Sequence, residues 1–123
     1  STILRRITRS SQTLRTETNM ICKIFIRTFP SVEECDMFEA ILQTKWPTVL
    51  GDKALKGVTE GTTFAAYRNQ EAPHVSTVIW QFPNKNTQKT IEGLIDKHIK
   101  KFTQTLSPKT MTFTGDQTVS FQV

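Results

Sequence analysis

A short apolar segment, His74–Phe82, carries a titratable ring and a large aromatic ring between two prolines. Alternate positions of an extended strand place His74, Trp80 and Phe82 on one face. Since an imidazole can move a proton near neutral pH, we predict His74 as a candidate catalytic residue. The indole of Trp80 either lines a ligand pocket or packs in the core, and both interpretations stay open.

The first predicted strand, Met20–Phe29, brings two cations into an apolar pattern. Lys23, Phe25 and Arg27 alternate along one of its faces. A cation that points into a covered sheet face must be paired, hydrated or bound to an anion. We therefore predict these three residues as ligand-binding, with Arg27 as an anchor for an anion or carboxylate. Tyr67, at the end of another predicted strand, is added to this set.

No stronger catalytic or metal-binding pattern occurs in the sequence. A nucleophile–base pair, a glycine-rich phosphate loop and a metal-ligand spacing are all absent, and Cys22 and Cys35 form no CxxC motif. We expect no metal and no cofactor. His98 lies on a predicted apolar helix stripe, which is more typical of a core or interface histidine. Whether the protein is an enzyme stays open, because a pocket with one or two polar groups can be enough.

The composition is that of a soluble globular domain. Hydrophobic residues make up 37% and charged residues 22% of the 123 residues, and no apolar run is long enough to cross a bilayer. The free cysteines and the lack of a secretory signal favour a reducing compartment, so we predict a cytoplasmic location. We expect residues 20–123 to form a single domain.

Most of the net charge of +5 belongs to the N-terminal segment, residues 1–19. That segment contains four arginines and one glutamate, and the rest of the chain is nearly balanced. We predict a flexible basic tail there; its composition also fits a mitochondrial transit peptide, or an artificial leader upstream of Met20. Since no basic cluster is interleaved with aromatic residues, we expect no nucleic-acid partner.

The spacing of apolar residues predicts the order strand, helix, strand, strand, helix, strand and an extra C-terminal strand. The first helix begins with a capping box at Ser31 and Glu34 and ends at Pro47; the second runs unbroken from Asn84 to Pro108. Such an order forms an antiparallel ferredoxin-like α+β sheet with two helices on one face.

Two sets of residues on the first strand could face the helices. We expect the set with Cys22, Ile24 and Ile26 to be covered, which leaves Phe25 and Phe29 on the bare face together with Trp80 and Phe82. A bare apolar face of this size is a binding or association surface, and a symmetric homodimer would close it.

Residues 20–114 resemble the dimeric α+β barrel superfamily, which includes antibiotic-biosynthesis-monooxygenase-like and stress-responsive barrel proteins. The resemblance is architectural and rests on the strand with Trp80, the Pro83–Asn84 link and the long helix that follows. It implies two facing sheets and a small hydrophobic ligand. Haem-degrading members pair a first-strand Asn with a Trp and a helical His. The first strand here has no Asn, and His98 lies too far along its helix to match.

These observations predict a dimeric α+β barrel that binds a small, largely apolar ligand between its sheet and a helix, with a monooxygenase-like activity as one form of this function. The alternative is a non-enzymatic assembly module whose sheet face is buried by a partner chain.

Overall fold

A computed structural model describes residues 20–123; the basic tail predicted over residues 1–19 lies outside this part of the chain. The described chain forms four strands and three α-helices. In chain order they are β1 (Ile21–Thr28), α1 (Val32–Leu50), β2 (Thr63–Arg68), β3 (Val75–Phe82), α2 (Lys85–His98), α3 (Lys100–Leu106) and β4 (Lys109–Asp116). A single 3-10 turn, Lys53–Leu55, lies between α1 and β2.

The strands form one antiparallel sheet in the order β2-β3-β1-β4. This arrangement confirms the predicted ferredoxin-like α+β fold. The register places Phe25 of β1 opposite Val78 of β3 and Thr112 of β4. The predicted extra C-terminal strand is not formed, because residues 117–123 follow β4 without strand structure.

The helix-covered face of the sheet is the opposite of the one predicted. Ile21, Phe25 and Arg27 of β1 are buried beneath the helices, whereas Ile26 is 38% exposed. Trp80 and Phe82, expected on the bare face, are also buried on the helix side. The prediction that one face is covered and the other is left open and apolar still holds, with the two faces exchanged.

The open face, as we call it, combines apolar residues from all four strands. Ile24 lies between Ile79 and Phe113 in the register, and Ile26 lies opposite Met111. Tyr67, Met111 and Phe113 are more than half exposed. The described chain therefore leaves a contiguous apolar surface on the side of the sheet away from its helices.

Helix α1 begins as the sequence predicts. The Ser31 hydroxyl oxygen accepts a hydrogen bond from the Glu34 amide and donates one to the Glu34 carboxylate, both at 3.3 Å. The helix does not end at Pro47 but continues to Leu50, so the proline is accommodated inside its last turn. Trp46, the residue before this proline, is buried against Trp80 of the sheet.

The second predicted helix is interrupted. It breaks at Ile99 into α2 and α3, although the sequence has no glycine or proline at that point. Ile99 itself is buried, so the break still keeps its side chain in the core. The Thr and aromatic content of residues 58–67 predicts a strand with Gly61 as a bulge, but β2 begins only at Thr63, and Gly61 lies in the preceding turn with φ of +82°.

No helix in residues 20–123 has both the length and the apolar character required to cross a bilayer.

Candidate functional site

A cavity of about 400 Å³ opens between β1, β4 and helix α2. We call it the Phe25 cavity. Its apolar wall is made by Phe25 and Ile95, and its polar lining consists of Lys23, Glu92, Asp96 and Thr112. A cavity of this volume, with an apolar wall and a polar lining around it, falls within the range of small-molecule sites.

The cavity exists because the helices do not cover β4. Thr110, Thr112 and Thr114 lie on the helix side of this edge strand, opposite Arg27, Phe25 and Lys23. All three threonines remain exposed. The floor of the Phe25 cavity is therefore polar, with hydroxyl groups that can donate or accept hydrogen bonds.

Lys23 is paired across the cavity wall. Its Nζ donates to Glu92 Oε2 at 2.5 Å, and Gln88 Nε2 donates to the same oxygen at 3.3 Å. Burial acts to raise the pKa of Glu92, but the hydrogen bonds from Lys23 and Gln88 outweigh it and hold that pKa below its ordinary value. The carboxylate is thus charged, and the cavity carries a neutralised ion pair rather than a free cation.

Trp80 lies deeper than the Phe25 cavity, at the centre of an aromatic cluster. Its ring centroid is 4.7 Å from that of Phe64 and 4.9 Å from that of Trp46, both edge to face, and it stacks on Phe82 at 6.1 Å. Only 1% of the residue is exposed. Trp80 is therefore mainly core packing; it also borders an inner void of about 10 Å³, near the volume of a single water molecule.

Arg27 borders the same inner void and is 96% buried. Its guanidinium carbon lies 4.5 Å from the Phe25 ring centroid and 4.8 Å from that of Phe38. Within residues 20–123 it forms no ion pair, and its Nε has no acceptor. Burial lowers the pKa of Arg27 to about 10.

The other candidates lie apart from this site. His74 precedes β3, opposite the far end of β1, where its carbonyl oxygen accepts a hydrogen bond from the Phe29 amide at 2.9 Å. Six residues of strand separate Phe29 from Lys23, a distance of about 20 Å. Tyr67 is on the open face, on the other side of the sheet from Trp80.

His98 ends α2 and is half-buried rather than part of the core. Burial and the charges of Lys97, Lys45 and Lys101 lower its pKa.

Of the six residues predicted from the sequence, the structure thus brings four together: Lys23, Phe25, Arg27 and Trp80. Within the described ranges, no group of three or more His, Cys, Asp or Glu residues is placed to hold a metal ion.

Two residues that matter for the site were missed by the sequence analysis. Trp46 continues the buried series Cys35, Phe38, Leu42 at helical spacing, which the expected end at Pro47 obscured. Glu92 lies outside the apolar stripe of its helix in the sequence pattern, which is typical of a solvent-facing residue. A cation on a covered strand requires a partner, and that requirement was the available signal for an acidic residue on the helix above it.

Comparison with known proteins identifies the fold. No protein-family model matches the sequence, and no curated protein matches it significantly. A dimeric ferredoxin-like protein from an uncultured marine organism has a TM-score of 0.67 at 18% identity, over 91% of this chain and 98% of that one. A second, also from an uncultured marine organism, has a TM-score of 0.65 at 9% identity, over 84% and 99%.

A candidate antibiotic biosynthesis monooxygenase from Bordetella bronchiseptica is also similar, with 18% identity over 83% of this chain and 99% of that one. Its TM-score is 0.49, too low to support an argument about function. The resemblance to dimeric ferredoxin-like proteins that the sequence predicts is confirmed at the level of fold.

Proposed function

We propose that this protein is a homodimer that binds a small, largely apolar molecule in the Phe25 cavity. The observation that carries the proposal is the cavity itself, about 400 Å³ between the sheet and α2. Phe25 and Ile95 supply apolar contact, while Thr112 and the Lys23–Glu92 pair supply polar groups at its edge. This combination favours a ligand with a hydrophobic body and few polar atoms.

The open face supports the homodimer. Ile26, Met111 and Phe113 are between 38% and 72% exposed and lie next to one another in the sheet. A surface of this kind is a site of association. The two similar marine proteins are both described as dimeric and ferredoxin-like, which favours a second copy of this chain as the molecule that covers it.

The ligand proposal is tested with Nile red, an uncharged dye that fluoresces in apolar sites. The Thr112→Trp substitution places a large ring on the cavity floor and should abolish dye binding. A groove of about 350 Å³ between α1 and α3, lined by Thr44, Ile41 and Phe102, is the competing location. Thr44→Trp fills that groove with the same ring, so it is the matched control and should leave dye binding unchanged.

The reverse pattern, with binding lost in Thr44→Trp and retained in Thr112→Trp, would place the ligand in the α1–α3 groove and contradict the proposal. A wild-type protein that binds neither Nile red nor members of a broad library of apolar compounds would also overturn it. Circular dichroism of both variants verifies that each one is folded.

The second candidate function is a non-enzymatic assembly module, and the exposed residues of the open face favour it. In that case the function of the protein depends on the open face alone, as the surface that a partner chain buries. The two candidates differ in one respect that can be measured: an assembly module forms dimers but binds no apolar ligand in the Phe25 cavity.

A further inference from the structure

Arg27 is a buried cation without an anion. The acidic residues near its end of the sheet are already engaged: Glu39 accepts a hydrogen bond from Ser76, which lies opposite Arg27 in the register, at 2.6 Å. Glu39 also accepts one from Arg68 at 2.8 Å. Within the described part of the chain, no carboxylate forms an ion pair with the Arg27 guanidinium.

A buried charge usually has a partner, because removing it from water is costly. The rings of Phe25 and Phe38 offer cation–π contact to Arg27, which offsets part of this cost. They provide no hydrogen-bond acceptor, and Nε remains unsatisfied. The arrangement leaves a directional donor in an apolar environment, where an incoming anion would bind strongly.

The space next to Arg27 is adjacent to the Phe25 cavity. The inner void that Arg27 borders and the Phe25 cavity have two lining residues in common, Phe25 and Ile95. These two apolar side chains therefore form part of the wall between the open cavity and the void beside the guanidinium. A ligand that reaches Arg27 from the cavity has to displace them.

We infer that Arg27 anchors the carboxylate of an apolar carboxylic acid, whose hydrophobic body occupies the Phe25 cavity and whose entry displaces the Phe25 and Ile95 side chains. This inference rests on the proposed ligand binding and specifies its chemical class. Lys23, the other cation of the cavity, is already neutralised by Glu92. Arg27 is thus the cation whose charge the ligand would satisfy.

The test compares octanoate with 1-octanol, two ligands that share a chain length and differ in charge, by titration calorimetry on the full chain. The wild type should bind octanoate about ten-fold more tightly or better, since hydrogen bonds to charged groups have at least this effect. Arg27→Met should remove the preference for octanoate while it retains 1-octanol binding. The double variant Lys23→Met/Glu92→Gln removes the other cation together with its partner and so changes the cavity lining for both ligands; both affinities should shift together, and the ratio between them should be kept.

Equal affinity of the wild type for both ligands would overturn the inference and leave the proposed ligand binding intact. Failure to bind either ligand would overturn both. If Arg27→Met does not fold, Arg27→Gln and the Lys23→Met/Glu92→Gln variant still show which of the two cations binds the carboxylate. A preference lost in the double variant assigns the carboxylate to Lys23 and refutes the role of Arg27.

Discussion

Lys23 Nζ and Glu92 Oε2 are 2.5 Å apart and join strand β1 to helix α2 across 69 residues of sequence. Both side chains are partly buried, at 17% and 32% exposure. Because they line the Phe25 cavity from opposite elements, their ion pair holds α2 in position over that side of the sheet.

Replacement of Glu92 by Gln should lower the free energy of unfolding by about 1 kcal/mol, since it leaves Lys23 without its charged partner. The effect should depend on pH. A carboxyl whose pKa is lower in the folded state contributes stability above its unfolded pKa of about 4.3, and that contribution is lost as the pH falls through the folded pKa. Urea unfolding from neutral pH down to about pH 3 measures this.

We expect wild-type stability to decline more steeply in acid than that of Glu92→Gln. The control is Glu60→Gln, an exposed residue that forms no ion pair within residues 20–123. Parallel pH profiles for wild type and Glu92→Gln would show that the ion pair contributes nothing to stability.

Replacement of Trp80 by Ala should destabilise the protein by about 3–5 kcal/mol, since it removes the ring at the centre of the aromatic cluster. Met37 on α1 is 56% exposed, so Met37→Ala should change stability by no more than about 0.5 kcal/mol. Denaturant unfolding of the two variants checks this difference. A small effect at Trp80 would mean that the cluster can collapse around the missing ring.

Replacement of Phe113 by Lys should convert the proposed homodimer into a monomer, because it places a charge on the apolar open face. Thr114→Lys introduces the same charge on the same strand but on the other face of the sheet, so it should remain dimeric. Sedimentation equilibrium distinguishes the two results. A wild type that is monomeric at all concentrations would refute the dimer.

The two cysteines should react differently with a thiol reagent. Cys22 is half-buried on the open face, whereas Cys35 is fully buried on the core-facing side of α1. Burial raises the pKa of both thiols, so both should react more slowly than a free thiol. We expect Cys22 to be modified first, and at a rate that falls as the protein concentration rises and dimers cover the open face.

Modification of Cys35 should require unfolding. The Cys22→Ser variant, in which Cys35 is the remaining thiol, measures the reaction rate of Cys35 separately. A Cys22 rate that does not vary with protein concentration would argue that the dimer interface lies elsewhere.

The order and type of the elements could be predicted from the sequence, but the orientation of the sheet could not. Strand β1 has apolar residues on both of its faces, since Ile21 and Phe25 alternate with Ile24 and Ile26. A period of two separates these sets without indicating which one faces the helices. The charge of Arg27 does not identify the solvent side either, because the structure buries Arg27 between two aromatic rings.

Only part of the candidate site could be predicted from the sequence. Lys23, Phe25 and Arg27 were identified because they share a face, and that relationship is local. Their partner Glu92 is distant in sequence, and its contact with Lys23 depends on how α2 packs over the sheet. The break at Ile99 likewise follows from tertiary packing, since nothing in the local sequence interrupts the helix.

Strand β4 is an edge strand that also forms the floor of the Phe25 cavity, and its hydrogen-bonded partner in the sheet is β1. Fraying of this strand would therefore open the cavity from below, independently of the helices. Amide hydrogen exchange at Met111 and Phe113, which lie in the hydrogen-bonded pairs with β1, should thus slow when a ligand is bound, which makes the mobility of a single strand a direct readout of occupancy.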